Sequence, residues 1–559
     1  MPQEIWLALA LAAVVLALTA ARMFVRTGQI GRARVGPVLG RAADPETAAR
    51  AAETLGALIR CKTVSHDAPR ERAEWVHLRD ELKRRYPSVH AAMTRETVGL
   101  FSLLYHWKAP DPQGDPLLFC AHLDVVPAES GAWRHPPFEG LIEDGHVWGR
   151  GALDCKHLVT CLLEAAELLL RQGFSPTRDI YFAFGHDEET GGAEGAAALA
   201  ALFAKQNLHF ALVLDEGGAL TRGALSLRRP VAEVGVSEKG MMNVRLTARS
   251  AGGHAAHPPR HTALGRIAEA VCRVEFRPGP ARLTPLITDL LTQLAPNLSF
   301  SWRFLIANRR LLRRPLLRRL ARSGETSWVR TTFAPTTARA GTAPNVLPDT
   351  AEAVLNVRLL HGERGEDILV YLRDLFSGLD LEMEVLFSQD PSSVSDYRGA
   401  PFAQLGESVR AVFGAVPVVP FLLASATDAR RYEPFSSHVF RFCPFVLTPD
   451  ESARMHAVDE RVSLEALGLA VAFYEDLLRR CAGPEAEDSE DLKDPEDPED
   501  REDLKDTEDP EDAKDNTAGP ENTESAKDAK DSRDAKTPAS AKDAAGGDVR
   551  GGPRDAETE

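Results

Sequence analysis

The chain of 559 residues has little cysteine, and the seven it has (61, 120, 155, 161, 272, 443 and 481) fall into no paired spacing. An odd count without pairs excludes a readable disulfide framework, and at least one thiol is expected to remain free. Most of these thiols read as small buried apolar residues. The folded body also lacks net charge. From Gly483 onward stand 28 acidic and 11 basic residues, which leaves 54 and 55 in the remainder, so the overall −16 describes the tail alone. No nucleic-acid-binding motif accompanies the neutral body, and no nucleic-acid partner is expected. The tail, residues 482–559, is poor in apolar groups and repeats Glu-Asp-Leu-Lys-Asp at 490–494 and 502–506. Such a segment cannot offset its ordering entropy, so it is expected to be disordered and outside the chemistry.

At the other end, Ile5 to Ala21 carries no charged residue. That length is short for a membrane span and long for the apolar region of a signal peptide. Glu4 precedes it, no Lys or Arg does, and Arg22 and Arg26 follow. Small residues at Ala17, Thr19, Ala20 and Ala21 suit cleavage after Ala21. The reading is a signal peptide over residues 1–25 and a secreted protein, with a retained anchor in the secretory pathway as the alternative. The sequon Asn297-Leu298-Ser299 fits that compartment.

What the chain does have is a dense stretch from Phe119 to Gly192. Leu117 to Ala121 is an apolar run ending in His122-Leu123-Asp124, the pattern of a buried strand delivering polar groups at its end. Residues two apart on a strand point the same way, so His122 and Asp124 are expected to face one space. Gly149-Arg150-Gly151-Ala152-Leu153-Asp154 then leads into an apolar helical stretch, and Ile180 to Gly185 is a strand followed by His186-Asp187-Glu188-Glu189-Thr190-Gly191-Gly192. Leu212 to Asp215 repeats the scheme of strand, acid and glycine turn. Strands alternate with helices, which predicts a mostly parallel α/β sheet, and in such sheets sites gather at the carboxyl ends of strands.

The pattern changes at Val236. Met241 to Ala248, Ala351 to Leu360 and Leu381 to Phe387 read as strands, with helices at Ala263 to Val274 and Ile368 to Phe376. This is a smaller α+β unit inserted at 236–394, between parts of the larger domain at 44–235 and 395–481. Arg303 to Arg322 places eight arginines among leucines. It reads as a basic helical face or interface interrupted by Pro315, with contact to an anionic substrate or a lipid surface as the alternative.

His122, Asp154, Glu189, Asp215 and a late His456 offer two imidazoles and three carboxylates. Two zinc ions sharing a bridging carboxylate need about that set, with room for a water whose pKa they lower. Glu188, beside a ligand in the same turn, is the candidate to move the proton, and Asp124 the candidate to hold the other ring nitrogen of His122.

Four ordered motifs carry a resemblance: His-Leu-Asp-Val-Val-Pro, Gly-Arg-Gly-Ala-x-Asp-x-Lys, Asp-Glu-Glu-x-Gly-Gly and the late His-Ala-Val-Asp-Glu. From about Asp44 to Arg480 the chain resembles the dinuclear zinc exopeptidase and aminoacylase family. That family includes glutamate carboxypeptidase, aminoacylase and Gly-X carboxypeptidase, and the chain looks most like its secreted N-fatty-acyl-amino acid synthase/hydrolase branch. The resemblance implies an α/β catalytic domain with an inserted lid and dimerisation domain, and so a homodimer. It implies that His122 and Asp215 bind one Zn(2+), Glu189 and His456 the other, and that Asp154 bridges them. Glu188 is then general base and acid, and Asp124 orients His122. Gly252-Gly253-His254 matches the family's oxyanion histidine at His254, reaching across a dimer in some members. Asn345 and Arg358 sit where the family places substrate-binding groups, and a guanidinium suits a substrate carboxylate. Two departures stand out: Ala424-Ser425-Ala426-Thr427-Asp428 lacks the family's glycines, and Cys155 replaces a second aspartate. The implied activity is hydrolysis of N-acyl amino acids, or condensation in reverse. A carboxypeptidase or dipeptidase is the alternative, and an inactive carrier would lack a ligand or the base, which this chain has.

Overall fold

The structure, a computed structural model, describes residues 3–31, 40–65, 72–227 and 229–484. The acidic tail from residue 485 onward therefore lies outside the described residues. In chain order the first elements are α1 (Gln3–Gln29), α2 (Pro45–Arg60), α3 (Arg72–Arg85), β1 (Thr94–Val98), β2 (Ser102–Trp107) and β3 (Leu117–His122). There follow α4 (Lys156–Arg171), β4 (Ile180–Gly185), α5 (Ala196–Lys205), β5 (Leu212–Asp215) and β6 (Val231–Glu238). The next group is β7 (Gly240–Arg249), β8 (Gly253–His254), α6 (Ala263–Phe276), α7 (Pro285–Leu294), α8 (Phe300–Ala307) and α9 (Arg313–Leu320). After these come β9 (Thr332–Ala340), β10 (Val346–Leu347), β11 (Thr350–Leu359), α10 (Gly365–Leu375) and β12 (Glu382–Gln389). The chain closes with α11 (Ala400–Phe413), β13 (Val418–Leu423), β14 (Val439–Arg441) and α12 (Leu464–Ala482).

A ten-stranded sheet runs β1–β2–β4–β3–β5–β14–β6 and on through two two-residue strands, Leu220–Thr221 and Val446–Leu447, with β13 alongside β6. β3 is parallel to both β4 and β5, β5 to β14, and β6 to β13, while β1 and β2 form an antiparallel edge. Every residue of β3, β4 and β5 is buried, which is why they read as continuous apolar runs rather than alternating ones. Leu117 and Phe119 of β3 join a core with Leu55 and Leu58 of α2, Leu158 and Leu162 of α4 and Leu477 of α12. Leu118 and Cys120 point to the opposite face, against Leu199 and Phe203 of α5. Helices thus cover both faces, and each leucine fully buried this way contributes roughly 1.5–3 kcal/mol.

Local signals set the helix ends. Asp44 caps α2 by accepting from the Thr47 amide at 2.9 Å, and Pro45 takes the first helical position, where no amide donor is needed. At the other end the buried Lys156 ammonium donates to the carbonyls of Leu58 (2.9 Å) and Cys61 (2.7 Å). The lysine of the second motif is therefore a cap for the last turn of α2.

A separate antiparallel sheet has the order β9–β11–β7–β12. Its alternating buried residues, such as Val244, Leu246, Leu355 and Val357, pack against Ile267 and Val274 of α6 and Ile368 and Leu372 of α10. The fold is thus α/β around a mostly parallel sheet, joined to a smaller α+β unit. β9 went unread in the sequence because Thr-Phe-Ala-Pro-Thr-Thr-Ala-Arg-Ala has no apolar alternation; its register against β11 makes it a strand. Pro315 does not interrupt the arginine-rich segment as expected. The break falls earlier, between α8 and α9, and Pro315 sits in the first turn of α9, where its missing donor costs nothing.

Candidate metal centre

Because β3 and β4 are parallel with His122 opposite Gly185, the residues that follow each strand emerge at one edge of the sheet. There the Nε2 of His122 lies 2.8 Å from Oδ1 of Asp154, and the Nε2 of His456 lies 2.9 Å from Oδ2 of the same carboxylate. His456 also meets Glu189 Oε1 at 3.2 Å. Two groups of potential ligand atoms result, each within a span of 4.8 Å: His122, Asp154, Cys155 and Glu216, and Asp154, Glu189 and His456. Asp154 belongs to both. A carboxylate whose two oxygens each face an imidazole nitrogen, flanked by further carboxylates, is the donor set of a bridged pair of metal ions, so the residues present fit that group.

One expected residue is displaced. Asp215 ends β5 and is buried, but the carboxylate facing His122 is that of Glu216, whose Oε1 is 3.5 Å from the His122 Nε2. Asp215 belongs to neither of the two groups of potential ligand atoms. The Asp215 Oδ2 has no hydrogen-bond partner among the described residues, and burial pushes that carboxyl up to about 6. In this geometry Glu216, rather than Asp215, lies within ligand distance of His122.

Asp124 is fully buried and does more than expected. The His122 Nδ1 meets the Asp124 main-chain carbonyl at 3.0 Å and its carboxylate at 3.4 Å. The carboxylate itself accepts from the amides of Glu188 (3.2 Å) and Glu189 (3.1 Å). It therefore fixes the turn that carries the candidate base as well as the ring of His122. Burial pushes Glu188 well above the usual carboxylate range, with Asp428, Glu189 and Asp154 adding to it against the opposing effect of His122. A carboxyl poised to hold a proton beside a cation site suits a group that takes a proton and returns it.

The loop of Asp154 is clamped from far along the chain. Glu460 accepts from the amides of Gly151 (3.0 Å), Leu153 (2.7 Å) and Asp154 (3.2 Å). Its other oxygen accepts from Arg150, whose second nitrogen reaches the His456 carbonyl at 3.1 Å. His456 holds a left-handed backbone (φ 61°), an uncommon conformation for a residue with a side chain that this contact helps to fix. Hydrogen bonds to Asp154 and Glu189 raise His456 to about 10. Cys155 adds no charge: burial lifts its thiol well above the usual range, and its sulfur accepts from the His122 amide at 3.2 Å.

The remaining sequence candidates lie apart from this cluster. His254 is exposed on β8, which pairs with β10, and its Nδ1 accepts from the Ala256 amide at 3.1 Å. Asn345 is its neighbour, accepting from the Ala255 amide through its carbonyl at 3.1 Å. Among the described residues no hydrogen bond joins either to the metal cluster. Arg358, on β11, is half-buried, touches the Ala424 carbonyl at 3.4 Å and has no carboxylate partner among the described residues. The loop without glycines is built in differently. Thr427 donates to Glu238 at 2.8 Å, and the buried Asp428 carboxylate fills the space over Gly192, where a Cβ would come within 2.2 Å of its Oδ1. Gly192 has φ +62°, so close approach and backbone both require glycine there.

Sequence reasoning missed Glu216, Glu460 and Arg150. Glu216 stood beside a residue already taken as a ligand, and only strand register separates the two. Arg150 and Glu460 both lay inside quoted motifs, but nothing local indicates that they meet.

Comparison with known proteins fits this geometry. The model of peptidase family M20/M25/M40 matches residues 118–480. The N-fatty-acyl-amino acid synthase/hydrolase PM20D1 of Bos taurus is 35% identical over 439 residues, covering 76% of this chain and 87% of its own. Probable carboxypeptidase S-like 2 of Dictyostelium discoideum is 35% identical over 415 residues, covering 73% of this chain and 79% of its own. Among solved structures, the M20 family metallo-carboxypeptidase Sso-CP2 from Sulfolobus solfataricus is similar with a TM-score of 0.59 at 16% identity, over 76% of this chain and 98% of that one. At that identity the likeness concerns the fold.

Proposed function

The chain belongs to the peptidase family M20/M25/M40, and from that premise we propose that it hydrolyses the amide bond of N-fatty-acyl amino acids, and joins fatty acid to amino acid in the reverse direction. The observation that carries the reading is the shared carboxylate of Asp154, facing His122 on one oxygen and His456 on the other, with Glu188 in the adjoining turn. His122, Asp154 and Glu216 would hold one Zn(2+), and Asp154, Glu189 and His456 a second. Such a pair of ions, when bound, supplies Lewis acidity that makes a water nucleophilic near neutral pH.

The chain's own residues do the rest. Glu188 takes the proton of the attacking water and returns it to the leaving amine as the carbon–nitrogen bond breaks. Asp124 keeps the Glu188 turn and the His122 ring in place. Arg358, free of a carboxylate partner among the described residues, suits the carboxylate of the amino-acid half, and Asn345 a second polar contact. His254 stabilises the tetrahedral oxyanion when the unit at 236–394 closes over the site or when a second copy of the chain presents it. β12 leaves Val385 and Phe387 exposed at the edge of that unit, which suits a homodimer contact.

The acyl half is the point on which relatives divide. The name of the bovine relative supports a fatty-acyl amide, and that of the Dictyostelium discoideum relative, at the same identity, supports a carboxypeptidase acting on short peptides. A paired panel separates them: oleoyl-phenylalanine, acetyl-phenylalanine and Gly-Phe with zinc-loaded protein, products read by mass spectrometry. Preference for the oleoyl amide is expected. Preference for Gly-Phe moves the chain to the carboxypeptidase reading, and silence on all three with metal bound makes it a carrier.

A further inference from the structure

α1 is 27 residues long and so spans about 40 Å at 1.5 Å per residue. Its segment Leu11–Gln29 is long and apolar enough to cross a bilayer. The side chains of Trp6, Leu11, Leu16 and Leu18 are 60–69% exposed. Such a rod is not stable in water by itself. Its last turns, however, are built into the body. The Phe24 ring lies 6.2 Å from that of Phe300 and 5.6 Å from that of Phe304 on α8. The Asn308 amide donates to the Met23 carbonyl (3.2 Å) and the Thr27 hydroxyl (3.3 Å), and Asn308 and Thr27 are both buried. The point where the apolar helix meets the body is thus fixed at α8.

Beside that point the surface is basic. Residues 309–322 contain arginines at 309, 310, 313, 314, 318, 319 and 322 and no acid. Among the described residues none of the seven is in an ion pair. α9 turns Leu316 and Leu320 inward and leaves Arg313, Arg314 and Arg318 exposed, with Leu311 exposed just before it. A cleft of about 510 Å³ opens here, lined by Trp302, Arg318, Arg319, Arg322 and Ser323. The Arg319 guanidinium lies 4.0 Å over the Trp302 ring, which holds it at the wall of the cleft.

We propose that α1 stays in the mature chain as a membrane anchor and that α8 and α9 seat the body on a bilayer carrying anionic phospholipid, with the Arg318–Arg322 cleft taking a lipid phosphate. The seat of Phe24 and Thr27 on α8 brings the arginines to the level of the headgroups just where the apolar helix leaves the body. An anionic headgroup layer supplies the counter-charge that the described residues withhold, and its attraction for the basic patch adds to the hold of the apolar anchor. Cleavage after Ala21 would leave the seat and remove the rod. The inference does not depend on which amide is cut.

The test uses the full chain. Its intact mass and its resistance to alkaline extraction from membranes are read first. Amide hydrogen exchange over 309–322 is then compared in nanodiscs of phosphatidylcholine alone and of phosphatidylcholine with phosphatidylserine. The expected result is a chain that retains α1, stays in the membrane, and exchanges more slowly over 309–322 only where phosphatidylserine is present. The variant Arg313→Gln/Arg314→Gln/Arg318→Gln, folded by its thermal transition and active on a soluble acyl amino acid, should lose that difference, since each charge is worth roughly fivefold in partition at an anionic surface. A mature chain beginning at Arg22, or equal exchange in both discs, overturns the proposal.

Discussion

Glu460 accepts a 2.5 Å hydrogen bond from Arg150 across 310 residues of sequence, with both side chains buried. Through this pair the loop that delivers Asp154 and the loop that delivers His456 become one unit, because Glu460 also holds the amides of the first and Arg150 the carbonyl of the second. Burial pushes Glu460 up to about 7 against the pull of Arg150 and the Leu153 amide.

Removing one partner should therefore cost more than a hydrogen bond. Arg150→Met leaves a buried carboxylate unpaired and should lower stability by about 3–5 kcal/mol in chemical denaturation. Glu460→Gln keeps the shape while weakening the clamp, and should weaken metal binding about 10- to 100-fold with a smaller loss of stability. Unchanged metal affinity in Glu460→Gln would separate the clamp from the site.

The choice between two adjacent acids is open to direct measurement. Glu216→Gln should lower the metal content of the purified protein by one ion per chain. Asp215→Asn should leave it unchanged, since that side chain lies in neither group of potential ligand atoms. The reverse outcome, by elemental analysis of both variants, would restore the expectation drawn from sequence.

Much of this is legible in the sequence. His122, Asp154, Glu189 and His456 carried enough local pattern to be named together, and the structure gathers them at one edge of the sheet. The continuous apolar runs ending at His122, Gly185 and Asp215 announced buried parallel strands. Glu216 was not legible, because adjacent acids at a strand end differ only by which side each faces. The clamp was not legible either, since a pairing across 310 residues leaves no periodic trace. β9 lacked alternation because it is an edge strand with no buried residue, held by its pairing with β11 rather than by an apolar face of its own. Pro315 misled because its effect depends on its place in the helix, and the first turn tolerates it.

His456 makes metal uptake dependent on pH. Its folded value is raised from 6.5 to about 10 by Asp154 and Glu189, so the metal-free ring carries a proton at neutral pH and contributes stability that is fully present below 6.5 and lost as pH rises through about 10. A metal ion must displace that proton. Apparent zinc affinity should accordingly rise about tenfold per pH unit between neutrality and that value, and fall as pH falls. Chelator competition at two pH values, with proton release followed by calorimetry in two buffers, checks both the slope and its sign.

His254 is exposed in the single chain and makes no hydrogen bond to the cluster among the described residues, so its substitution should leave metal content and thermal stability as they are. Turnover is another matter. His254→Ala should lower kcat by about 10²–10³ with little change in KM, the signature of a donor used only in the transition state. A change confined to KM would make it a substrate contact.

The central claim is that Glu188 moves the proton at a metal pair that Asp154 bridges. Zinc stoichiometry and amide turnover of Glu188→Gln, measured on the same preparation, test it most directly. The account predicts two zinc ions per chain, as in the parent protein, with turnover down by about 10²–10⁴. Full metal with turnover intact would contradict it.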